Sequence, residues 1–439
     1  MSHKPNRRKF LISAGAAGAA GIGLCHVVPA RVLGGAEGPP PSEALRYAII
    51  GVGGLGSAIA SGCVTAGNKH RRLIAICDCD PNRLEQMRGR FAPLVKENQG
   101  HELACYLDFR DLLERTDLDV VHVGTPPQWH ALISIMAMQM GIDVMCEKPM
   151  VRFINEGPRV IEAAKQYGRI CLVDSGCFHD MSRTAAVARK LARAGLLGQP
   201  LTGRRLLPHN GGRTRALPKT IAPPEENPAR DMWCGPSPWI PWRGGPFRHL
   251  WNYDNGMQAD IGAHHVPTVV ECLNKFGEDP VEIVGEGHYP PDPQFIQPYY
   301  RSVLRYADGT KLVLESSLGQ EGQPAIGFEI AGPKGRIYAE GQKDTPRSDP
   351  PELLAAAAKL PDEPRRISSD EAFRTRKDAY AQNPSAEVQF SAEKTIHLSN
   401  IAFRTGRKII WDPAKQTIVG DDEAASLLNL PVRAPWRLY

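Results

Sequence analysis

The stretch AIIGVGGLGSAIA, residues 48–60, decides the fold. A short apolar run ends at Gly51, Gly53 and Gly56 in G-x-G-x-x-G spacing, with Leu55 inside the loop and a helical pattern behind it. Glycines so spaced let the chain turn sharply out of a strand and approach a pyrophosphate closely. They then open a helix whose N-terminal amides face the anion. Alone the pattern is weak. Here the next apolar run, RLIAICD (72–78), ends on Asp78. An acid there accepts hydrogen bonds from both hydroxyls of an adenosine ribose and repels a 2′-phosphate. The combination predicts a dinucleotide site that takes NAD in preference to NADP, with Asp80 as the alternative acid.

Outward from this point, apolar runs alternate with helical patterns. Helices are expected over 55–66, from Pro81, over 129–140 and over 153–167. The strands between them are DLDVVHVG (117–124), DVMCEK (143–148) and RICLVD (169–174). Such alternation predicts an α/β fold, a doubly wound parallel sheet ending near residue 175. Residues 204–256 are crowded with Gly, Pro and Trp and read as loops. From 281 to 340 strand patterns return, and the turns ADGT (307–310) and GPKG (332–335) suit hairpins, so a mostly antiparallel sheet follows. The polar stretch 342–393 reads as helix and loop.

A chain of 439 residues is too long for one core, and 42% apolar with 23% charged residues is ordinary for a soluble enzyme. The formal charge of +5 is spread without a basic block, which argues against a nucleic-acid or lipid surface. The N-terminus differs. NRRKFLISAGAAGAAGIG (6–23) sets Arg7 and Arg8 before a weakly hydrophobic Ala/Gly run, and HVVPARV (26–32) follows. This resembles a twin-arginine export signal ending at Ala30, and the run is too short and glycine-rich to span a bilayer. The expected organisation is a signal peptide over 1–30, a Pro/Gly linker over 31–43, an NAD-binding Rossmann domain over 44–175 and a C-terminal domain over 176–439. A periplasmic or otherwise exported location follows. The ten cysteines include no CxxC pair and many sit in apolar runs, so no disulfide framework is expected.

GTPPQWHA (124–131) follows a strand at the same sheet edge as the glycine loop, placing Thr125 and Pro126 beneath a nicotinamide and His130 at the next helix start. GIDVMCEKPM (141–150) then delivers Glu147, Lys148 and Pro149 to that edge, where open α/β sheets bind ligands. The ammonium of Lys148 can polarise a reacting oxygen. Glu147 can orient it or bind the nicotinamide ribose, and Pro149 can make a cis bend. In NGMQADIGAHHVPTVVECL (255–273), Asp260 and His264 are one helical turn apart, suiting an acid that orients an imidazole for proton transfer. Zinc held by Asp260, His264 and His265 is the competing use, disfavoured by the missing fourth ligand, so no metal is expected. His265 reads as structural. Trp233, Trp239, Trp242 and Trp251 crowd one loop with Arg243 and Arg248; they stack on a sugar or pin the loop.

With GVGGLG, TPPQWHA, CEKP, DMWCGPSPW and DIGAHH in place, the chain from about residue 44 resembles the glucose–fructose oxidoreductase/inositol dehydrogenase (Gfo/Idh/MocA) family. The likeness is to its secreted bacterial members, and the tail from HLSNIAFRTGRKIIWDP (397–413) to PVRAPWRLY (431–439) shares it. The resemblance implies a tightly held nicotinamide cofactor and a sugar or polyol substrate. It also implies a C-terminal α/β domain with an open, largely antiparallel sheet, used for homo-oligomerisation. It assigns Lys148, Asp260 and His264 to catalysis, with Trp242, Arg248 and His179 as candidate substrate contacts. After RICLV many relatives carry arginine, where this chain reads DSGCFHDM (174–181), so a substrate contact has changed. Some relatives are glycoside hydrolases that oxidise, eliminate and reduce again on bound NAD, which is the alternative activity.

Overall fold

The computed structural model describes residues 43–176, 181–207, 228–238, 251–254, 256–288, 299–316, 326–340, 343–378, 381–429 and 432–436. The expected signal with Arg7, Arg8 and Ala30, and all of the linker but Glu43, lie outside them. So do Cys177, Phe178, His179, Trp239, Trp242, Arg243 and Arg248.

Six strands form the first sheet: β1 Leu45–Ile50, β2 Arg71–Cys77, β3 Ala104–Tyr106, β4 Val120–Val123, β5 Asp143–Glu147 and β6 Cys171–Asp174. All neighbours are parallel, in the order β3-β2-β1-β4-β5-β6. The chain leaves β1 towards one edge and returns at β4 towards the other. The loops after β1 and β4 therefore part at a crevice on the carboxyl ends of the strands, where such sheets bind ligands. Residues of the helices Gly54–Val64 and Pro81–Gln99 pack against β1 and β2 through Ala60, Cys63, Leu84, Met87 and Phe91. Asp80 starts the second helix by accepting from the amides of Asn82 and Arg83, with Pro81 at its first position, and Gly100 in the left-handed region ends it.

The rest of that face is covered from far along the chain, while Ala48, Ile50, Val121, Val144 and Cys146 on the opposite face pack against the helices His130–Gln139 and Gly157–Tyr167. Tyr47, Val120, Met145 and Leu172 pack against Ala372, Phe373 and Ala381. Asp370 accepts from the Tyr47 hydroxyl at 3.2 Å and from Arg71 Nε at 2.8 Å. Strand β3, three half-buried residues, was not expected from the sequence, because it is too short to carry a period.

The second sheet has nine strands: β7 Thr202–Leu207, β8 Glu282–His288, β9 Tyr299–Arg305, β10 Lys311–Ser316, β11 Ile326–Gly332, β12 Gly335–Glu340, β13 Arg347–Asp349, β14 Ile409–Asp412 and β15 Thr417–Ile418. Their order is β13-β12-β11-β7-β10-β9-β8-β14-β15; only β7 and β10 run parallel. The helices Gly256–Cys272 and Ala386–Thr405 pack on each other and on this sheet. The second helix is buried from Gln389 through Phe403 despite its polar sequence, so the stretch read as polar helix and loop runs into the core. The described cysteines are all free thiols, and no helix among the described residues is long and apolar enough to cross a membrane.

Candidate active site

The glycine loop is shaped for an anion. Gly51 has φ +88°, and a Cβ there would lie 2.8 Å from the Gly124 carbonyl and the Thr125 amide. A Cβ on Gly56 would lie 1.9 Å from the Gly51 oxygen, whereas one on Gly53 would meet nothing within 4 Å. The outer glycines are thus required by backbone contact, and the middle one keeps open the space that a pyrophosphate needs. Gly53 caps the helix Gly54–Val64 with no side-chain bond, and no acid stands in its first turn, so its amides are left for a ligand anion. Leu55 is exposed at the rim.

Asp78 directly follows β2 beside this loop. Its Oδ2 accepts from the Val52 amide at 3.0 Å and its Oδ1 from the Asp80 amide at 3.0 Å. Burial pushes the Asp78 carboxyl above the usual carboxylate range, and these two amides oppose that. Asp80 has a different employment, capping the helix from Pro81. Opposite, the Thr125 hydroxyl is buried without a hydrogen-bond partner among the described residues. A donor held dry in a cleft suits a bound ligand. Together these residues fit a nicotinamide dinucleotide: the Gly53 turn would hold its pyrophosphate and Asp78 its adenosine ribose.

At the other end, β5 delivers Lys148 to the helix Gly256–Cys272. Lys148 Nζ donates to the Asp260 carbonyl at 2.9 Å and to Asp260 Oδ1. The two side chains are 9% and 8% exposed, so the pair sits in a nearly dry site where its geometry is strongly held. The Lys148–Pro149 peptide is cis. His130 spans two loops, with Nδ1 2.6 Å from the Pro149 carbonyl and Nε2 2.7 Å from the Thr125 carbonyl. Its ring thus ties the floor of the cleft to the segment behind Lys148.

Two expected partnerships are redistributed. Asp260 and His264 lie one turn apart on the helix, but Asp260 Oδ1 carries Lys148, and the His264 ring is oriented by the Ser175 carbonyl, to which its Nδ1 donates. A carbonyl only accepts, so the proton is on Nδ1 and Nε2 keeps its lone pair. Burial, and next the charge of Lys148, push His264 below the ordinary histidine range, leaving a neutral base at physiological pH. Glu147 turns to His122, with Oε1 3.1 Å from Nε2, while Lys148 takes Asp260.

Among the described residues, His122, Glu147 and Asp174 are the group whose metal-capable donor atoms all lie within 4.8 Å of one another. They stand on β4, β5 and β6, and Asp174 also accepts from Asn383 Nδ2 at 3.2 Å. The zinc alternative does not assemble: His265 Nδ1 is held by Arg205 Nη2 at 3.1 Å, His264 by Ser175 and Asp260 by Lys148.

One cavity of about 540 Å³ runs from Gly51, Leu55 and Asp78 past Thr125 and Pro126 to Lys148 and Asp260. Met232, Trp233 and the buried Asp254 line its far side. The Trp233 carbonyl accepts from Gln128 Nε2 at 3.0 Å and Trp129 Nε1 at 3.2 Å, fixing the end of the short helix Pro228–Cys234, in a stretch read from the sequence as loop, to the Rossmann side. Trp251 instead packs against Phe153 and under Arg404, pinning its own loop. Asp254 and Arg83 had no sequence signal, since nothing in the local pattern distinguishes them from loop or surface residues, whereas Met232 stands in the motif DMWCGPSPW with no role assigned to it.

The chain matches the model of an oxidoreductase family NAD-binding Rossmann fold over residues 45–175 and that family's C-terminal alpha/beta domain over 181–438. It is 30% identical over 219 residues to a glycosyl hydrolase family 109 protein from Shewanella pealeana, a match covering 46% of this chain and 45% of that protein. The chain thus spans about half the length of the curated relatives it matches. Among solved structures, it is similar to the WlbA dehydrogenase from Bordetella pertussis in complex with NADH and UDP-GlcNAcA. Identity is 17%, the TM-score is 0.59, and coverage is 84% of this chain and 99% of that one. The aldose–aldose oxidoreductase from Caulobacter crescentus complexed with glycerol has 20% identity and a TM-score of 0.54, with coverage of 84% and 99%. At such identities the structures share the fold. The two family matches cover both sheets and every element of the cleft, and the chain belongs to the Gfo/Idh/MocA oxidoreductase family.

Proposed function

We propose that the protein is an NAD-dependent oxidoreductase acting on a sugar or polyol hydroxyl, with its cofactor retained and recycled in a redox-neutral cycle. The observation that carries this is the continuous cavity joining the glycine turn and Asp78 to the Lys148–Asp260 pair. Bound NAD supplies a hydride acceptor and donor. Lys148 donates a hydrogen bond to the reacting oxygen, and His264 Nε2 takes or returns its proton. Asp260 fixes Lys148, and Asp254, which lines the same cavity, accepts from a neighbouring hydroxyl. The test is to purify the folded protein, quantify bound nucleotide, and challenge it with free sugars and aryl glycosides. A protein that purifies empty and turns over only with added NAD refutes the retained cofactor.

Similarity to the Shewanella pealeana glycosyl hydrolase family 109 protein favours a second reading, glycoside cleavage by transient oxidation, elimination and reduction. Aglycone release without net redox change selects it; net NADH with free sugar selects the first.

Because His264 is held neutral, the rate should stay level through neutrality and fall only as pH drops below the ordinary histidine value near 6.5. His264→Gln should lower the rate and abolish that acid limb in a pH–rate profile.

The location and assembly are part of the same proposal. Arg7 and Arg8 ahead of the Ala/Gly run support export with a mature chain starting near Arg31, and changing both to lysine should strand the protein inside. Unchanged export removes the signal assignment. The nine-stranded sheet carries the cross-strand pairs Arg204–Glu315 and Arg336–Glu329, and we assign homo-oligomerisation, as dimer or tetramer, to this sheet. Light scattering showing a monomer refutes it.

A further inference from the structure

The long helix Ala386–Thr405 buries Gln389, Glu393 and His397, at successive helical turns, against the active site's supporting backbone. Glu393 Oε1 accepts from the Met150 amide at 2.8 Å, and Oε2 accepts from the Val151 amide at 3.2 Å. His397 is bonded to the backbone of Val151. These amides belong to the segment that follows Lys148 and Pro149. One turn back, Gln389 Nε2 donates to Glu393 Oε1 at 2.8 Å and to the Ala263 carbonyl at 3.2 Å, immediately before His264. The path from Lys148 to His264 therefore runs through one rigid helix: Met150 and Val151 amides, Glu393, Gln389, Ala263 carbonyl.

Burial pushes the Glu393 carboxyl up to about 7, with the amides, Gln389 and the charge of Lys148 opposing. Carrying its charge at neutral pH thus costs the folded state. A carboxylate with two oxygens aimed at two adjacent amides is suited to fixing a backbone segment to sub-ångström tolerance.

We infer that Gln389 and Glu393 are positioning residues that hold the Lys148 segment and the His264 turn in fixed register for the reaction. This rests on the proposed proton-handling roles of Lys148 and His264. Glu393→Gln replaces one acceptor with an amide that faces a backbone amide donor, and Gln389→Leu cuts the path to Ala263. Each should slow single-turnover reduction of bound nicotinamide by about 10²-fold, the scale of an ångström misplacement, with substrate half-saturation and bound nucleotide unchanged. A merely structural role would lower the melting temperature and leave the single-turnover rate of the folded protein unchanged; here the rate itself falls with bound nucleotide retained.

The decisive measurement is a double-mutant cycle. In a Lys148→Ala background, Glu393→Gln should add less than about 2-fold, because groups acting as a unit are not additive. Hydrogen exchange on the full chain needs no substrate: Gln389→Leu should speed exchange in peptides spanning 148–153 and 260–266 together. Parent rates in both variants, additive losses, or exchange changing in one peptide alone overturn the inference. If Glu393→Gln does not fold, Gln389→Leu carries both measurements. If Lys148→Ala itself keeps the parent rate, the proposed chemistry fails while the exchange result still decides the positioning.

Discussion

Replacing Lys148 with alanine should slow reduction of the bound nicotinamide by substrate by about 10²–10⁴-fold, the usual worth of acid–base help, and leave the nucleotide in place. The separation of effects follows from the cavity. The glycine turn, Thr125 and Asp78 occupy one stretch of it, and Lys148 meets Asp260 at the other. Removing the ammonium takes away the only donor assigned to the reacting oxygen, while the amides of the helix Gly54–Val64 are untouched. The measurement is rapid mixing with substrate, followed by absorbance of the nicotinamide. A control is needed because Lys148 and Asp260 are both nearly buried. Breaking such a pair by deleting one partner costs about 3–5 kcal/mol, because the other charge is stranded. Lys148→Ala with Asp260→Asn removes the stranded charge and should recover stability without recovering rate. Reduction at the parent rate in the single variant would show that Lys148 has no part in the chemistry.

What the sequence disclosed about this site depended on how local each cause was. Gly51, Gly53 and Gly56 announce themselves because the turn, the close approach and the helix start are steric events within a few residues. The parallel sheet is equally readable, since each of β1, β2, β4, β5 and β6 is a short apolar run buried on both faces. Partnerships were not readable. His122 looks like one more core residue in an apolar strand, yet it holds Glu147. Asp260 and His264 have the spacing of a dyad, but the competition for Asp260 comes from Lys148, which is distant in sequence.

The helix Ala386–Thr405 shows the same limit. Gln389 and Glu393 belong to the stretch read as polar helix and loop, and Lys394 follows it, because hydropathy scores a side chain without its partner. Lys394 bonds Asp279 at 2.8 Å, and Glu393 bonds Met150, so each is paid for by a tertiary contact that no periodicity encodes. The cover that Ala372, Phe373 and Ala381 lay over the first sheet escaped for a related reason: it comes from beyond the stretch whose alternation defined that sheet.

Nucleotide-free protein should bind NAD at least about 100-fold more tightly than NADP, and Asp78→Ser should remove most of that difference. Two terms contribute, the ribose hydrogen bonds and repulsion of the 2′-phosphate, and each tenfold needs only about 1.4 kcal/mol. The geometry supports Asp78 over Asp80, because Asp80 is committed to the amides of Asn82 and Arg83. Asp78 is held in place by Val52 and Asp80 amides, which leave each carboxylate oxygen further acceptor capacity. Arg83 lines the same end of the cavity, so without the Asp78 charge a cation remains beside the place a 2′-phosphate would occupy. The variant should therefore gain NADP affinity as well as lose NAD affinity. The discrimination should also depend on pH. Burial raises the Asp78 carboxyl, so the repelling charge is complete above that raised value and is lost as pH falls through it. Calorimetric titration of both nucleotides, at neutral and at mildly acidic pH, tests each part. Equal affinities in the parent protein would remove Asp78 as the selector, and a preference unchanged in Asp78→Ser would move that role to Asp80.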